Sequence, residues 1–397
     1  MDKVIRILLV VPFFYPHRGG SQKYAEELLA TTVKLYPNTI VDVLCYNTDN
    51  VISLEKYRGL TIYRVPCFTL IPARFVLPNP ISLIEILVKL SNNKYQYVNT
   101  HIRFFDPTWW LWIYAKLIGA KSILTEHVAM HPVHQNKVIE LIAKLVDISI
   151  AKYSSRMFDY VTFTNKTAQK FITETFKLKS PTYLFYGGID TDYFKPGAKK
   201  SERTLPKIAY KISKDTTVIT FVGRLIWTKG VTYYYEAIKA YLSNKNNSKD
   251  VLFVIAGPGE LEQQLKTQIT NDKLTEKVIM TGDMSYENVR DLLSITDIFI
   301  NPSHHNEGFP NTILEAGSSE AFVIATDNAG TNEVVNKDTG ILIPQKDAKA
   351  IQKAIEWAIS NRDQTTKISH NFREILVKKF DWKAISKNFY EFLYKNC

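Results

Sequence analysis

Phe221-Val222-Gly223-Arg224-Leu225-Ile226-Trp227-Thr228-Lys229-Gly230 directly follows the β-branched run Thr216–Thr220. A strand that ends in glycine and opens into a loop bearing two cations is typical of an α/β unit, where the loops after parallel strands hold the ligand. Arg224 can fork onto two phosphate oxygens and Lys229 can add a point charge. Gly223 and Gly230 permit tight backbone turns on either side. Cations in a loop are ordinarily just solvated, so this stretch gains meaning only from a partner.

That partner is Asn306-Glu307-Gly308-Phe309-Pro310-Asn311-Thr312-Ile313-Leu314-Glu315-Ala316. Pro310 fits the first turn of a helix, where its missing N–H costs nothing. Glu315 then lies inside the helix and Glu307 on the loop before it. The N–H groups of Gly308, Phe309 and Asn311 point out of a positive helix end, suited to phosphate or hydroxyls. A loop carboxylate can hydrogen-bond ring hydroxyls, and a helix carboxylate can take a ribose diol. One stretch has the character of a diphosphate clamp and the other of a sugar clamp.

Three more stretches belong with these two: Pro16-His17-Arg18-Gly19-Gly20, Thr125-Glu126-His127 and Tyr186-Gly187-Gly188-Ile189-Asp190. Together they resemble the retaining glycosyltransferases of family 4 (glycosyl transferases group 1), nearly end to end. The resemblance implies a GT-B fold, with two Rossmann-like doubly wound α/β domains facing each other across a deep cleft. It implies that Arg224 and Lys229 bind the donor diphosphate, Glu315 the ribose and Glu307 the transferred sugar. Gly19 and Gly20 would approach the phosphate through the backbone, and His127 would lie near the reacting sugar. The catalytic set is then Glu307, Lys229, Arg224 and His127. A glycine often follows that histidine in the family, whereas this chain has Val128. The implied reaction is same-face displacement, in which the leaving diphosphate accepts the proton of the acceptor.

Strand-like and helix-like runs alternate along the chain, as in two doubly wound α/β units. We expect an acceptor-binding domain over residues 1–190 and a nucleotide-sugar domain over 191–380, with a tail helix at about 381–397 packing back on the first. The Lys/Ser/Pro-rich stretch Lys195–Lys207 reads as a linker. Every motif falls just after an expected strand, including Gly282, against which we expect the base. His101 and Arg103 end a strand of the first domain and are candidates for acceptor contacts.

With 397 residues, 45% hydrophobic and 22% charged, the composition is that of an ordinary globular protein. No apolar run reaches the ~18 residues of a membrane span, and no secretory signal is legible. The cysteines, Cys45, Cys67 and Cys397, lack metal-ligand spacing. The expectation is a cytoplasmic protein without disulfides or a bound metal, and with no cofactor beyond its UDP- or GDP-sugar substrate.

The net charge of +11 is uneven: residues 1–190 carry 22 Lys/Arg against 14 Asp/Glu, and the remainder 28 against 25. No nucleic-acid motif accompanies this excess, so nucleic acid is not expected and peripheral contact with an anionic membrane is the better reading. Phe68–Pro78 and the run Trp109–Ile118 are aromatic and apolar enough for such a surface, although a tryptophan run more often packs in a core. Asp190-Thr191-Asp192 could hold a metal in another glycosyltransferase architecture, but at a domain junction aspartates more often serve turns. A glycosidase would place its two carboxyls on opposite sides of a bond, whereas Glu307 and Glu315 are near neighbours in sequence.

The function expected is transfer of a hexosyl unit from a nucleotide-diphosphate sugar to a glycan acceptor, lipid-linked, in polysaccharide or glycoconjugate synthesis. A GT-B sugar-nucleotide epimerase, a phosphorylase and a silent scaffold subunit of a glycan-assembly complex remain as alternatives. The motifs leave the donor base and sugar open.

Overall fold

The computed structural model describes residues 3–17, 19–71, 75–132, 137–197, 204–205, 210–244, 250–304, 311–328 and 330–397. The chain forms two compact units, Met1–Gly188 with Trp382–Cys397, and Ile189–Asp381.

The first unit contains β1 (Ile5–Val11), β2 (Thr39–Tyr46), β3 (Leu54–Tyr57), β4 (Leu60–Val65), β5 (Cys67–Ile71), β6 (Phe75–Pro78), β7 (Tyr97–His101), β8 (Lys121–Glu126), β9 (Tyr160–Phe163) and β10 (Thr182–Leu184). Its helices are α1 (Gly20–Leu35), α2 (Pro80–Ser91), α3 (Pro107–Leu117), α4 (Lys137–Val146), α5 (Lys152–Ser155) and α6 (Lys166–Phe176). The main sheet runs β10-β9-β8-β7-β1-β2-β4-β3, parallel except for the edge strand β3. β1 reads Ile-Arg-Ile-Leu-Leu-Val-Val and is almost wholly buried, which is why it has a continuous apolar run rather than alternation. Asn79 caps α2 through its side chain, with Pro80 in the first turn.

The second unit contains β11 (Thr204–Leu205), β12 (Tyr210–Lys211), β13 (Thr217–Val222), β14 (Val251–Ala256), β15 (Val278–Gly282), β16 (Ile298–Asn301), β17 (Phe322–Thr326) and β18 (Gly340–Ile343). Its helices are α7 (Val231–Ser243), α8 (Glu262–Asn271), α9 (Tyr286–Ser294), α10 (Asn311–Ser318), α11 (Ala348–Ser360) and α12 (Arg362–Lys379). The six-stranded sheet runs β15-β14-β13-β16-β17-β18 and is parallel throughout. This is the doubly wound order 3-2-1-4-5-6.

The last helix, α13 (Trp382–Lys395), belongs to the first unit. Trp382, Ile385, Phe389, Phe392 and Leu393 enter the same core as β1 and α1, each apolar side chain contributing about 1.5–3 kcal/mol on burial. Gly188 makes room for it, since a Cβ there would lie 2.5 Å from the Trp382 indole. The chain therefore passes between units at Gly188/Ile189, ahead of Lys195–Lys207. Of that stretch, residues 198–203 and 206–207 lie outside the described residues.

Two of the stretches singled out in the sequence take definite form. Phe68–Pro78 forms an antiparallel hairpin, β5 with β6, in which residues 72–74 lie outside the described ones. In α3, Trp110 and Trp112 pack onto the core of the sheet. The large exposed side chains of that helix are Ile113 and Leu117.

Candidate active site

In each unit the first strand lies where the strand order reverses, β1 between β2 and β7, and β13 between β14 and β16. Ligands of open α/β sheets bind beyond the carboxyl ends of the strands at such a point. In the second unit the flanking loops are Gly223–Gly230, after β13, and the segment from Pro302 to α10, after β16.

These two loops are fastened together. His304 N–H donates to the Thr228 carbonyl at 3.0 Å, and the Ser303 hydroxyl donates to the same oxygen at 3.3 Å. The Trp227 and His304 rings sit 4.7 Å apart. Gly230 has φ +69, and a Cβ on it would lie 2.0 Å from the Pro302 carbonyl oxygen. Only glycine permits both this conformation and this approach. Arg224 is exposed on the loop, and Lys229 closes the 3-10 turn Trp227–Lys229.

The neighbouring loop, after β14, packs equally tightly. Gly257 has φ +127, and a Cβ there would lie 2.1 Å from the Gly223 carbonyl oxygen. Its N–H donates to Gly282 O at 2.9 Å, so Gly223, Gly257 and Gly282 form one layer at the strand ends. Asn311 opens α10, and Glu315 lies further along it at 6% exposure. Glu307, Gly308, Phe309 and Pro310 lie outside the described residues. A recess of about 220 Å3 in this unit opens at the amino ends of the strands, beside Thr217, Asp297 and Phe322, and among the described residues none of the motif loops lines it.

In the first unit, Gly19 precedes α1 and Gly20 opens it. Among the described residues, a Cβ on Gly20 would meet nothing within 4 Å, which leaves room for a ligand to approach the backbone there. Arg18 lies outside the described residues. His101 ends β7 in the wall of a narrow recess shared with Val11, Phe13, Gln22 and Phe105.

Arg103 does not take the place expected of an acceptor contact. It is 0% exposed, and all five of its N–H donors are engaged. Nη1 reaches Glu126 Oε2 at 2.8 Å and Val128 O at 3.1 Å. Nη2 reaches Met130 O at 2.7 Å and Asp147 Oδ2 at 3.4 Å, and Nε reaches Asp147 Oδ1 at 2.7 Å. Its backbone N–H also donates to Glu126 Oε1. The second Asp147 oxygen lies 2.6 Å from His131 Nδ1. Burial pushes the Glu126 carboxyl upward, and Arg103 draws it back down. Arg103 therefore acts as an internal staple for the segment Glu126–Met130, which carries His127.

His127 is held from several sides. The Asn165 amide donates to its carbonyl at 3.3 Å, while Asn165 Oδ1 caps α6. Its Nε2 lies 3.2 Å from His101 Nδ1, and His101 Nε2 lies 3.0 Å from Asn99 Oδ1. The Tyr24 ring packs edge-on against it at 5.0 Å. Burial pushes the His127 imidazole down to about 3. Burial, with His127 as the second cause, also pushes His101 well below its usual value. His101 is thus a neighbour of His127 inside the fold, at 4% exposure. Asn99, Tyr24 and Asn165 carried no motif signal, because their roles exist only once β7, α1 and β9 lie beside β8.

Asp190 makes a turn: its Oδ1 accepts from the N–H groups of Asp192 and Tyr193 at 3.1 and 2.9 Å. Thr191 is tied to Asp381 through its hydroxyl and N–H.

Comparison with known proteins agrees with this architecture. The family model Glycosyltransferase Family 4 matches residues 18–193, and Glycosyl transferases group 1 matches residues 203–375. The chain is 25% identical to an uncharacterized glycosyltransferase of Methanocaldococcus jannaschii, over 97% of each chain. It is 29% identical to the UDP-Gal:alpha-D-GlcNAc-diphosphoundecaprenol alpha-1,3-galactosyltransferase of Escherichia coli, over 76% of this chain and 75% of that one. The crystal structure of Anabaena HepE in complex with UDP superposes with a TM-score of 0.74 at 16% identity, over 98% of this chain and all of that one. The two doubly wound units have the GT-B fold of these structures, and the chain belongs to the group 1 glycosyl transferases of family 4.

Proposed function

We infer that the protein is a retaining, metal-independent glycosyltransferase that moves a hexosyl unit from a UDP- or GDP-sugar to a lipid-linked glycan acceptor in polysaccharide or glycoconjugate synthesis. The observation that carries this is the fastening of the Arg224/Lys229 loop to the segment leading into Glu307 and Glu315, at the switch point of the second sheet. Arg224 and Lys229 supply the charge that neutralises the diphosphate as it leaves. Preorganised charge of this kind commonly lowers a reaction barrier more than any other single effect. Glu315 takes the ribose, Glu307 the sugar hydroxyls, and His127 lies beside the sugar. The E. coli relative acts from UDP-Gal on a diphosphoundecaprenol-linked sugar, and HepE binds UDP, which supports a uridine donor and a lipid-linked acceptor.

The test is nucleotide release from UDP-glucose, UDP-galactose, UDP-N-acetylglucosamine and GDP-mannose, with and without polyprenyl-diphosphate sugar and in chelator. One donor should be turned over, without loss in chelator, to a product of unchanged anomeric configuration. Inversion, or abolition by chelator, would refute the corresponding part.

The same reading includes peripheral docking on an anionic bilayer. No helix among the described residues is long and apolar enough to cross a membrane. α4 buries none of its residues, and Leu141, Ile142 and Leu145 are 53–59% exposed. On α2, Ile81, Ile84 and Val88 are 62–70% exposed. Large apolar side chains exposed together on one helix suit an interaction surface. Lys89, Lys137 and Lys144 are exposed on the same helices, and the basic excess of residues 1–190 matches anionic headgroups.

A further inference from the structure

His127 ends its hydrogen-bonded chain at a backbone that cannot change protonation. Asn99 Nδ2 donates to the Ile123 carbonyl at 3.0 Å and approaches the Thr125 hydroxyl at 3.0 Å. A backbone carbonyl only accepts, so the nitrogen of this amide must face Ile123 and the oxygen must face His101. His101 must therefore carry its proton on Nε2, which leaves Nδ1 as a bare acceptor. The nitrogen opposite that acceptor, His127 Nε2, must in turn be N–H. A neutral imidazole with Nε2–H has its lone pair on Nδ1. Among the described residues, Nδ1 of His127 has no hydrogen-bond partner.

We propose that Asn99 and His101 are positioning residues that lock His127 in the Nε2–H tautomer, so that its Nδ1 faces the substrate as a neutral acceptor for a hydroxyl of the transferred sugar. The ligand half of this rests on the transferase reading above, and the tautomer half does not. Among the described residues, no group that hydrogen-bonds to the relay is able to relax it. Asn99 is held by two strands, β7 through its own backbone and β8 through Ile123. His101 is buried. Tyr24, which packs against both imidazoles, spends its hydroxyl on the Phe185 carbonyl at 2.8 Å. Protonating His101 would set an Nδ1–H against the Nε2–H of His127, and burial opposes that charge. A histidine so fixed accepts a hydrogen bond from a hydroxyl without taking its proton. This suits a reaction in which the departing diphosphate, not the protein, takes the acceptor proton.

The experiment is long-range 1H–15N correlation NMR on the full chain labelled with 15N-histidine at pH 7, with His127 assigned by its His127→Gln variant. The expected spectrum has His101 and His127 both neutral and both protonated on Nε2. A cationic His127, or one protonated on Nδ1, overturns the proposal whatever the activity. His101→Phe keeps the ring volume but removes the acceptor. His127 should then populate both tautomers, and turnover of whichever sugar nucleotide the wild type consumes should fall by about tenfold to a hundredfold, the scale of a misplaced contact. His101→Gln can accept from His127 and donate to Asn99, and should restore both the tautomer and most of the turnover. A purely packing role for His101 predicts the reverse, with Phe tolerated and Gln not, and that result also overturns the proposal. If no sugar nucleotide is consumed by the wild type, the transferase reading fails while the wild-type spectrum still decides the tautomer.

Discussion

The Arg103 guanidinium and the Glu126 carboxylate, both side chains at 0% exposure, meet at 2.8 Å one residue before His127. This pair joins the loop after β7 to the end of β8, and Asp147 completes it from the segment that follows α4. Removing one member of a buried pair leaves an uncompensated charge, which costs about 3–5 kcal/mol. Arg103→Ala should therefore lower stability by about that much in urea unfolding, and Arg103→Lys by less. A loss under about 1 kcal/mol for Arg103→Ala would mean that the pair is not holding the segment.

Gly230 should tolerate no side chain. Alanine there meets both the positive φ and the Pro302 carbonyl, so Gly230→Ala has to push the Lys229 turn off the Pro302–His304 segment. We expect a loss of about 2 kcal/mol or more in thermal unfolding, together with weaker nucleotide-diphosphate binding. Unchanged binding would show that this fastening does not serve the site.

The relay also fixes a pH dependence. His101 and His127 are held neutral in the folded state, His127 down to about 3 from a usual 6.5. The unfolded chain takes up protons below 6.5 that the folded chain refuses, so these groups contribute stability above 6.5 that is lost as pH falls toward about 3. Asp106, raised from 3.8 to about 6 by burial, acts in the opposite sense: stability falls as pH rises from 3.8 to about 6. The discriminating comparison is wild type against His101→Gln in thermal melts from about pH 7.5 to about pH 4.5. The wild type should lose more stability on acidification, and parallel curves would contradict the assignment.

Leu141→Glu combined with Leu145→Glu should leave the melting temperature within a few degrees, since neither side chain is buried. It should abolish flotation with phosphatidylglycerol-containing vesicles. Wild-type binding should weaken at high salt and be poor on pure phosphatidylcholine. Equal flotation of both proteins, or a dimer of the wild type that the variant lacks, would reassign the face.

Both parallel sheets were legible because strands buried on two faces must be continuously apolar, as in Ile5–Val11 and Thr217–Val222. The loops of interest were legible because they follow those strands. The environment of single side chains was not. Arg103 reads as a surface cation until Glu126 and Asp147, distant in sequence, close around it. Asn99 has no motif at all, and the outward face of α4 has the same periodicity as a helix packed inward. The tryptophans of α3 illustrate the converse, with Trp110 and Trp112 apolar and packed on the core.

Glu307→Ala should lower turnover by about a hundredfold or more with folding intact, if its carboxylate holds the sugar in the transition state rather than only in the ground state. A change confined to KM would assign it to uniform binding instead.

The central claim is that Arg224 and Lys229 grip the diphosphate of a sugar nucleotide. Calorimetric titration of UDP and GDP against uridine and guanosine, on wild type and Lys229→Ala, tests it most directly. One diphosphate should bind the wild type about a hundredfold tighter than its nucleoside, as expected for charge-assisted contacts to phosphate, and Lys229→Ala should remove most of that difference. Binding of neither diphosphate, or an undiminished preference in the variant, would contradict the account.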